Sequence, residues 1–315
     1  MNKPLLSICI PTYNRVEYLR KTLESIVHQD GFGEEVEVVI SDNASTDNTR
    51  ELAMDYCSRY TNIKYFRNEK NLVDENQALS IQRATGILRK LSNDTLMYKP
   101  GAVRYILDAI KKNIDEKPVL FFRSSGALEN EEIFCQNLDV FVSYMSFNIT
   151  WIGSIAYWDE DCADMARFIA DAPSRLPQVP HLLKCVEKRK AIVYDRKLFD
   201  SQTVKRKNLN YGLHKVFYIN FLGFLNEFVD KGSISERTYE KVRKDLLFIF
   251  FPNWVIRFER HPEDYTLGSE NLRKAIHSSY KDDSYYMKYR IKLFLKGCKA
   301  VLKDIKSRLG RGFNG

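Results

Sequence analysis

A mixed α/β fold is expected for this 315-residue chain, with a mostly parallel sheet flanked by helices and a helical C-terminal region. Two patterns lead there. Over the first ~120 residues, short apolar runs alternate with segments whose apolar residues recur at helical spacing, which is the pattern of βα units. From Tyr211 onward the helical period continues alone.

The elements follow in order. LLSICI (5–10) is a first strand, and Leu19, Leu23, Ile26 and Val27 mark the helix after it. VEVVIS (36–41) is a second strand. Leu52, Ala53 and Tyr56 mark a second helix, with Ser45 to Asn48 offering caps. IKYFR (63–67) is a third strand, and a helix covers Glu75 to Ala84. A short strand near Ile87–Leu91 follows Gly86. Pro100-Gly101 then opens a helix with Val103, Ile106, Leu107 and Ile110 on one face, and VLFF (119–122) is a further strand. Residues 123–200 are less regular, with a helix over Val179–Lys188 and a strand over Ala191–Tyr194. Beyond Tyr211, one apolar face holds Val216, Phe217, Phe221, Leu225 and Phe228. A second holds Tyr239, Val242, Leu246 and Ile249. This divides the chain into residues 1–200, a helical region 201–280 and a tail 281–315.

Composition narrows the function. The 44% hydrophobic content suits a globular protein. No apolar run approaches the ~18 residues of a spanning helix, and MNKPLLSICIPTYNR reads as a first strand rather than a secretion signal. Cys9, Cys57, Cys135, Cys162, Cys185 and Cys298 show no zinc-ligand spacing and fit free thiols in a reducing cytoplasm. The net charge is +8, but residues 281–315 hold ten Lys or Arg against three Asp. The body is therefore nearly neutral, which argues against a nucleic-acid binder.

Ligands of open parallel sheets sit beyond the carboxyl ends of the strands. There the first strand runs into Pro11-Thr12-Tyr13-Asn14-Arg15, and the second into SDNASTDNT. Tyr13 can stack on a flat ring. Backbone groups near Pro11 and Thr12, with the Asp42 carboxylate, can bond a base edge, and Arg15 can meet a phosphate bidentately. Asp47 reads as a turn or helix-cap residue.

The pair PTYNR and SDNASTDNT resembles the family 2 glycosyltransferases, inverting enzymes with the Rossmann-like GT-A fold. The resemblance covers residues 5–122 well and reaches weakly to about 200. The usual family pattern has Asp-Gly where Asn43-Ala44 stand, and subfamilies that build bacterial surface polysaccharides often carry the present version. The resemblance implies a nucleotide-diphosphate sugar as donor, UDP- or dTDP-linked, and a glycan or lipid-linked glycan as acceptor. It makes Asn71 part of the donor site, within an Asn-rich segment that also holds Asn68 and Asn76. Asp74 either reaches the diphosphate or caps the next helix. The family's acidic metal motif falls at Ser92-Asn93-Asp94, with one residue of slack before Pro100. Asn93 or Ser92 then faces the ribose, and Asp94 holds Mg²⁺ or Mn²⁺.

An inverting transfer also needs a general base. At the helix start where the family carries Glu-Asp, this chain has Pro177-Gln178, and Gln178 cannot accept a proton. Asp161 and His181 are the first candidates, ahead of Asp171, Asp159 and Glu160. Trp151 and Trp158 beside these acids can line an acceptor cleft or belong to the core.

In the tail, Met287, Ile291, Phe294, Cys298, Val301 and Ile305 recur at helical spacing, flanked by Lys288, Lys292, Lys299, Lys303 and Lys306. A basic amphipathic helix of this kind can lie on an anionic membrane surface or pack on its own domain. The expected location is the cytoplasm, peripheral to the inner face of the plasma membrane. Region 211–279 either packs on the body or forms an oligomer interface. Two other classes stay open. One is a non-catalytic scaffold that keeps the nucleotide pocket. The other is a nucleotidyltransferase, which normally has a glycine-rich loop after the first strand that PTYNR lacks.

Overall fold

The computed structural model describes residues 3–127, 130–204, 207–209 and 211–311. The chain packs as two units, Met1–Val204 with Phe228–Ser235, and Lys205–Glu227 with Glu236–Gly315.

The first unit is built on strands buried on both faces, as parallel strands covered by helices are. In β1 (Leu6–Thr12), Leu6, Ile8, Cys9 and Ile10 are fully buried, and all seven residues of β2 (Val36–Asp42) are buried. The central sheet has the order β3-β2-β1-β4-β8, with β3 at Ile63–Arg67, β4 at Leu88–Leu91 and β8 at Ala156–Trp158. The first four strands are parallel, and β8 runs antiparallel to β4. Helices α1 (Val16–Val27), α2 (Thr49–Arg59) and α3 (Glu75–Gln82) supply the crossovers. On α1, Leu19, Leu23 and Ile26 point to the core. Truncating Leu23 to alanine there should cost about 2–5 kcal/mol.

Two connections are tightly determined. A Cβ on Gly86 would lie 2.5 Å from the Ser7 hydroxyl and 2.8 Å from the Ser7 nitrogen, so only glycine lets this turn approach β1. Glu37 is buried in β2, yet its carboxylate accepts from Ser7, Lys64 and both the amide and hydroxyl of Thr85. It ties β1, β2, β3 and the turn before β4 together.

Beyond β4 the chain forms β5 (Leu96–Tyr98), the amphipathic helix α4 (Ala102–Asn113) and β6 (Val119–Phe122). Then come β7 (Glu132–Cys135), α5 (Leu138–Met145), β8, α6 (Ala166–Ala170), α7 (Gln178–Lys188), β9 (Ala191–Tyr194) and β10 (Phe199–Ser201). Strands β6, β9 and β7 make a second sheet, β10 pairs with β5, and a single bridge from Phe121 to Ile155 links the two larger sheets. Residues 123–200 thus hold more strand than their pattern suggests, because these strands are only three or four residues long.

The second unit is mainly helical. It contains α9 (Glu236–Asp245), α10 (Phe251–Arg260), α11 (Leu272–Tyr280) and α12 (Tyr286–Arg311), and α8 (Leu222–Asp230) runs across the boundary between the units. Between α9 and α10, Leu246–Phe250 widens to π-helical turns. Leu246 is buried as expected, but Ile249 is exposed, since the wider turn rotates it off the packed face. Arg243 is clamped by Asp283, with Tyr280 4.8 Å below its guanidinium. All six cysteines are free thiols. No described helix is long and apolar enough to cross a membrane.

Candidate functional site

The carboxyl ends of β1 and β2 lie side by side. Thr12 is directly paired with Asp42, and Asp42 in turn with Arg67 at the end of β3. Tyr13 and Asp42 therefore meet at one edge of the sheet. Tyr13 is 42% exposed, Pro11 is half-buried, and Asn93 is partly exposed.

The two loops are stitched to each other. The Asn14 amide donates to the Ser45 hydroxyl, and the Asn14 side-chain oxygen accepts from the Thr46 amide. Asp47 accepts from the Val16 amide with one oxygen and from the Thr49 hydroxyl with the other. This confirms Asp47 as a cap, and one carboxylate opens both α1 and α2. Asn14, Ala44 and Val73 all have positive φ, at 51°, 64° and 51°. Three non-glycine residues in this region at neighbouring loops mark stored backbone strain.

The Asn-rich segment is mostly scaffold. Asn43 holds Asn68, Asn71, the Leu72 amide and the Val73 carbonyl. Asn76 bonds Ser41, and Arg83 bonds both Ser41 and Asn68. Asn71 spends its side-chain oxygen on Asn43 and the Val73 amide, so it shapes the loop.

Three carboxylates at this mouth are each paired with an arginine. Asp42 is fully buried and accepts from the Ser45 amide at 2.8 Å, the Tyr65 hydroxyl at 2.7 Å and Arg67 at 2.7 Å. Burial alone would raise its pKa, but hydrogen bonds from Ser45 and Tyr65 and the Arg67 charge outweigh burial and hold it below the usual range. Tyr65 is pushed up to about 12 by burial and by Asp42. Asp94, 3% exposed, accepts from Thr12 and from Arg15, both at 3.0 Å. There burial wins, and the Asp94 carboxyl lies above its ordinary value despite Arg15. Asp74 pairs with Arg175 at 2.9 Å. The arginines stay partly exposed, at 45% for Arg15, 37% for Arg67 and 34% for Arg175. Tyr65 and Arg67 went unnoticed in the sequence, although the pairing of β2 with β3 follows from the βα order.

The expected metal ligand, Asp94, is engaged by Thr12 and Arg15. A divalent ion of this class needs several hard oxygen donors. Asp94 has both oxygens engaged, one of them by a guanidinium that occupies the approach of any cation. Among the described residues no group of three His, Cys, Asp or Glu could hold a metal. As arranged here, Asp94 would have to release Arg15 to take a divalent ion, whose remaining ligands would come from donor phosphates and water.

The expected bases are elsewhere. Because β8 reverses direction, residues 159–161 emerge at the amino ends of the parallel strands. The Asp159 amide bonds the Ile87 carbonyl just before β4, and Lys3 pairs with Asp159 just before β1. Asp161 is clamped by Arg189, which precedes β9, and Glu160 pairs with Lys117 and Arg189. His181 sits between Tyr157 and Phe168 with Nε2 against the Asp161 carbonyl, and burial lowers its pKa. Asp161 and His181 thus lie toward the amino ends of the parallel strands, whereas Asp42 and Asp94 lie at the carboxyl ends. Asp171 pairs with Arg167. Trp158 is a core residue whose indole N–H donates to the Pro118 carbonyl at 2.7 Å, and Trp151 packs beside Phe199. Gln178 opens α7 buried, with its amide nitrogen on the Thr150 carbonyl.

A mostly parallel sheet closed by an antiparallel strand, with its loops gathered at the carboxyl ends of β1, β2 and β3, defines a GT-A class α/β fold. Residues 7–114, about a third of the chain, match the family model for glycosyl transferase family 2. Abequosyltransferase RfbV of Salmonella typhimurium is 48% identical over 84 residues, covering 26% of this chain and 25% of that protein. The minor teichoic acid biosynthesis protein GgaA of Bacillus subtilis is 34% identical over 84 residues, 26% of this chain and 18% of that protein. The chain thus spans a quarter or less of the length of these relatives. Among solved structures, S. aureus TarS in complex with UDP-GlcNAc aligns with a TM-score of 0.53 at 17% identity, covering 82% of this chain and 74% of that one. The mannosyltransferase PcManGT of Pyrobaculum calidifontis, in complex with GDP-Man and Mn²⁺, aligns at 0.51 and 14% identity, covering 95% and 88%. These likenesses concern the fold.

Proposed function

We propose that the protein is an inverting glycosyltransferase. It takes a sugar from a UDP- or dTDP-linked donor and passes it to a glycan or lipid-linked glycan in bacterial surface polysaccharide assembly. The observation that carries the reading is the mouth of three arginines, each aimed by a buried or half-buried aspartate. Such a mouth suits a diphosphate, since guanidinium groups bond phosphate oxygens bidentately. Tyr13 stacks on the base, with Pro11 and Thr12 at its edge. Asp42 acts through Tyr65 and Arg67, which stand between it and the ligand. Arg15, held by Asp94 and Thr12, offers its outward guanidinium nitrogens to the diphosphate and stabilises the charge of the departing nucleotide. One relative is named as a teichoic acid biosynthesis protein, and that supports the setting. The cytoplasmic side of the plasma membrane is where this reading places the protein.

The test is a thermal-shift and calorimetry panel of UDP-, dTDP- and GDP-sugars. The reading expects one donor to raise Tm and bind in the micromolar range. No binding by any of them at millimolar concentration would overturn it.

A second reading is a nucleotide-sugar-binding protein without transferase activity. It is favoured by Gln178 at the start of α7 and by the remote placement of Asp161 and His181. Donor hydrolysis or transfer by the wild-type protein, lost in Arg15→Ala, would exclude it.

A further inference from the structure

Helix α12 is apolar on two sides, and only one of them is packed. Tyr286, Tyr289 and Leu293 are buried in the second unit, where Tyr286 meets His277 and Tyr289 meets Phe248. The residues expected to form its apolar stripe lie on a different face. Met287, Ile291, Phe294 and Val301 are 53–70% exposed, and Cys298 is exposed among them. At about 100° per residue these five fall within roughly 80° of arc, and Leu295 and Leu302 extend the strip on one flank. Ile305, Lys303 and Lys306 lie outside the residues whose side chains are described.

The borders of the strip are cationic. Lys288, Lys292 and Lys299 line one edge and Arg290 the other, all exposed. Residues 286–302 contain no acid at all. Lys288, Ile291, Lys292, Leu295, Lys296 and Lys299 line one shallow groove, so the apolar and cationic rows are contiguous. Lys292 also covers the Phe248 ring at 5.7 Å, and Lys296 bonds Asn253, which leaves Lys288 and Lys299 as the outward charges on the lysine edge.

We propose that this face of α12 lies on an anionic lipid surface. The apolar strip enters the acyl boundary, and the lysine rows meet phosphate headgroups. The strip is about 22 Å long at 1.5 Å per residue, which is long enough to fix the helix parallel to the bilayer. A second copy of the chain is the weaker occupant, because pairing two such strips would set lysine rows against each other without a compensating acid. The proposal does not depend on the transferase reading, as it needs no donor and no acceptor.

The test is co-sedimentation of the full chain with vesicles of phosphatidylglycerol and phosphatidylcholine, and with pure phosphatidylcholine vesicles. Binding is expected to the first, weakened at high salt, and much less to the second. Lys288→Gln with Lys299→Gln should weaken binding about 30-fold, at ~1 kcal/mol per lysine. Phe294→Asp with Ile291→Asp should abolish it. Both residues are exposed, so circular dichroism should be unchanged. Equal binding to both vesicle types, or binding that survives the double aspartate variant, would overturn the proposal. So would a dimer that the aspartates dissociate while no vesicle binding is seen, which would assign the face to a second copy.

Discussion

Arg15 donates to the buried Asp94 carboxylate at 3.0 Å, and Thr12 holds the second oxygen of that carboxylate. The aspartate that the family pattern offers to a metal here aims an arginine. UDP binding measured by calorimetry should therefore be the same in EDTA as in Mn²⁺. Arg15→Ala should weaken it about 10- to 100-fold, the range of a lost charge-assisted bond. A strict requirement for Mn²⁺ would show that Asp94 releases Arg15 when donor arrives.

Asp94 also carries a pH signature. Burial raises its pKa in the folded state, so folding favours the protonated form. The ionised carboxylate destabilises the protein above that raised pKa, and the penalty vanishes below the unfolded value near 4. Asp94→Asn should raise Tm at pH 7, lose that advantage at pH 4 and bind UDP more weakly. A lower Tm at pH 7 would contradict this.

Asp42 has the opposite sign. Its folded pKa is depressed, so its contribution is present above the unfolded value and lost as pH falls through the folded one. Asp42→Ala strands Ser45, Tyr65 and Arg67. Since Tyr65 and Arg67 can recover water, the expected loss is about 2–3 kcal/mol at neutral pH and much less near pH 2. Denaturant titrations at both pH values would measure it.

Lys90 is fully buried in β4, with its ammonium on the Leu91 and Gly153 carbonyls at 3.1 and 2.6 Å and over the Phe199 ring. Burial lowers its pKa to about 7. Folding thus favours the neutral amine, and stability falls as pH drops from about 10.5 towards 7. Lys90→Met should raise Tm by a few degrees at pH 7, with a gap that closes by pH 10.5. A Tm that falls at pH 7 would make the two carbonyl bonds the stronger effect.

Ala44 holds φ of 64° where the family pattern has glycine. Ala44→Gly removes a strain of about 1–2 kcal/mol, less the extra entropy glycine has when unfolded. A net gain of about 0.5–1 kcal/mol is expected, with donor affinity unchanged within a factor of two.

The elements legible in the sequence were those with long, pure periodicity. Strands β1 and β2, and their convergence at Thr12 and Asp42, follow from the βα order. The placement of Asp161 was not legible, because it depends on the three-residue strand β8 reversing direction, and nothing in AYW signals that. Asn71 looks like a ligand contact in one dimension, and Asn43 carries no sign that it would hold Asn71. Their partners lie on the neighbouring loop, so their scaffold role appears only when the loops meet. On α12 the period was correct, but period alone cannot distinguish a packed stripe from an exposed one. Tyr286, Tyr289 and Leu293 form a second stripe at almost the same spacing.

Asp47 joins the starts of α1 and α2 through a single carboxylate. Neither helix can tilt without pulling on the other, so the two loops that frame the crevice must move as one body. The crevice is thereby assembled before any ligand arrives, and little ordering entropy remains to oppose binding.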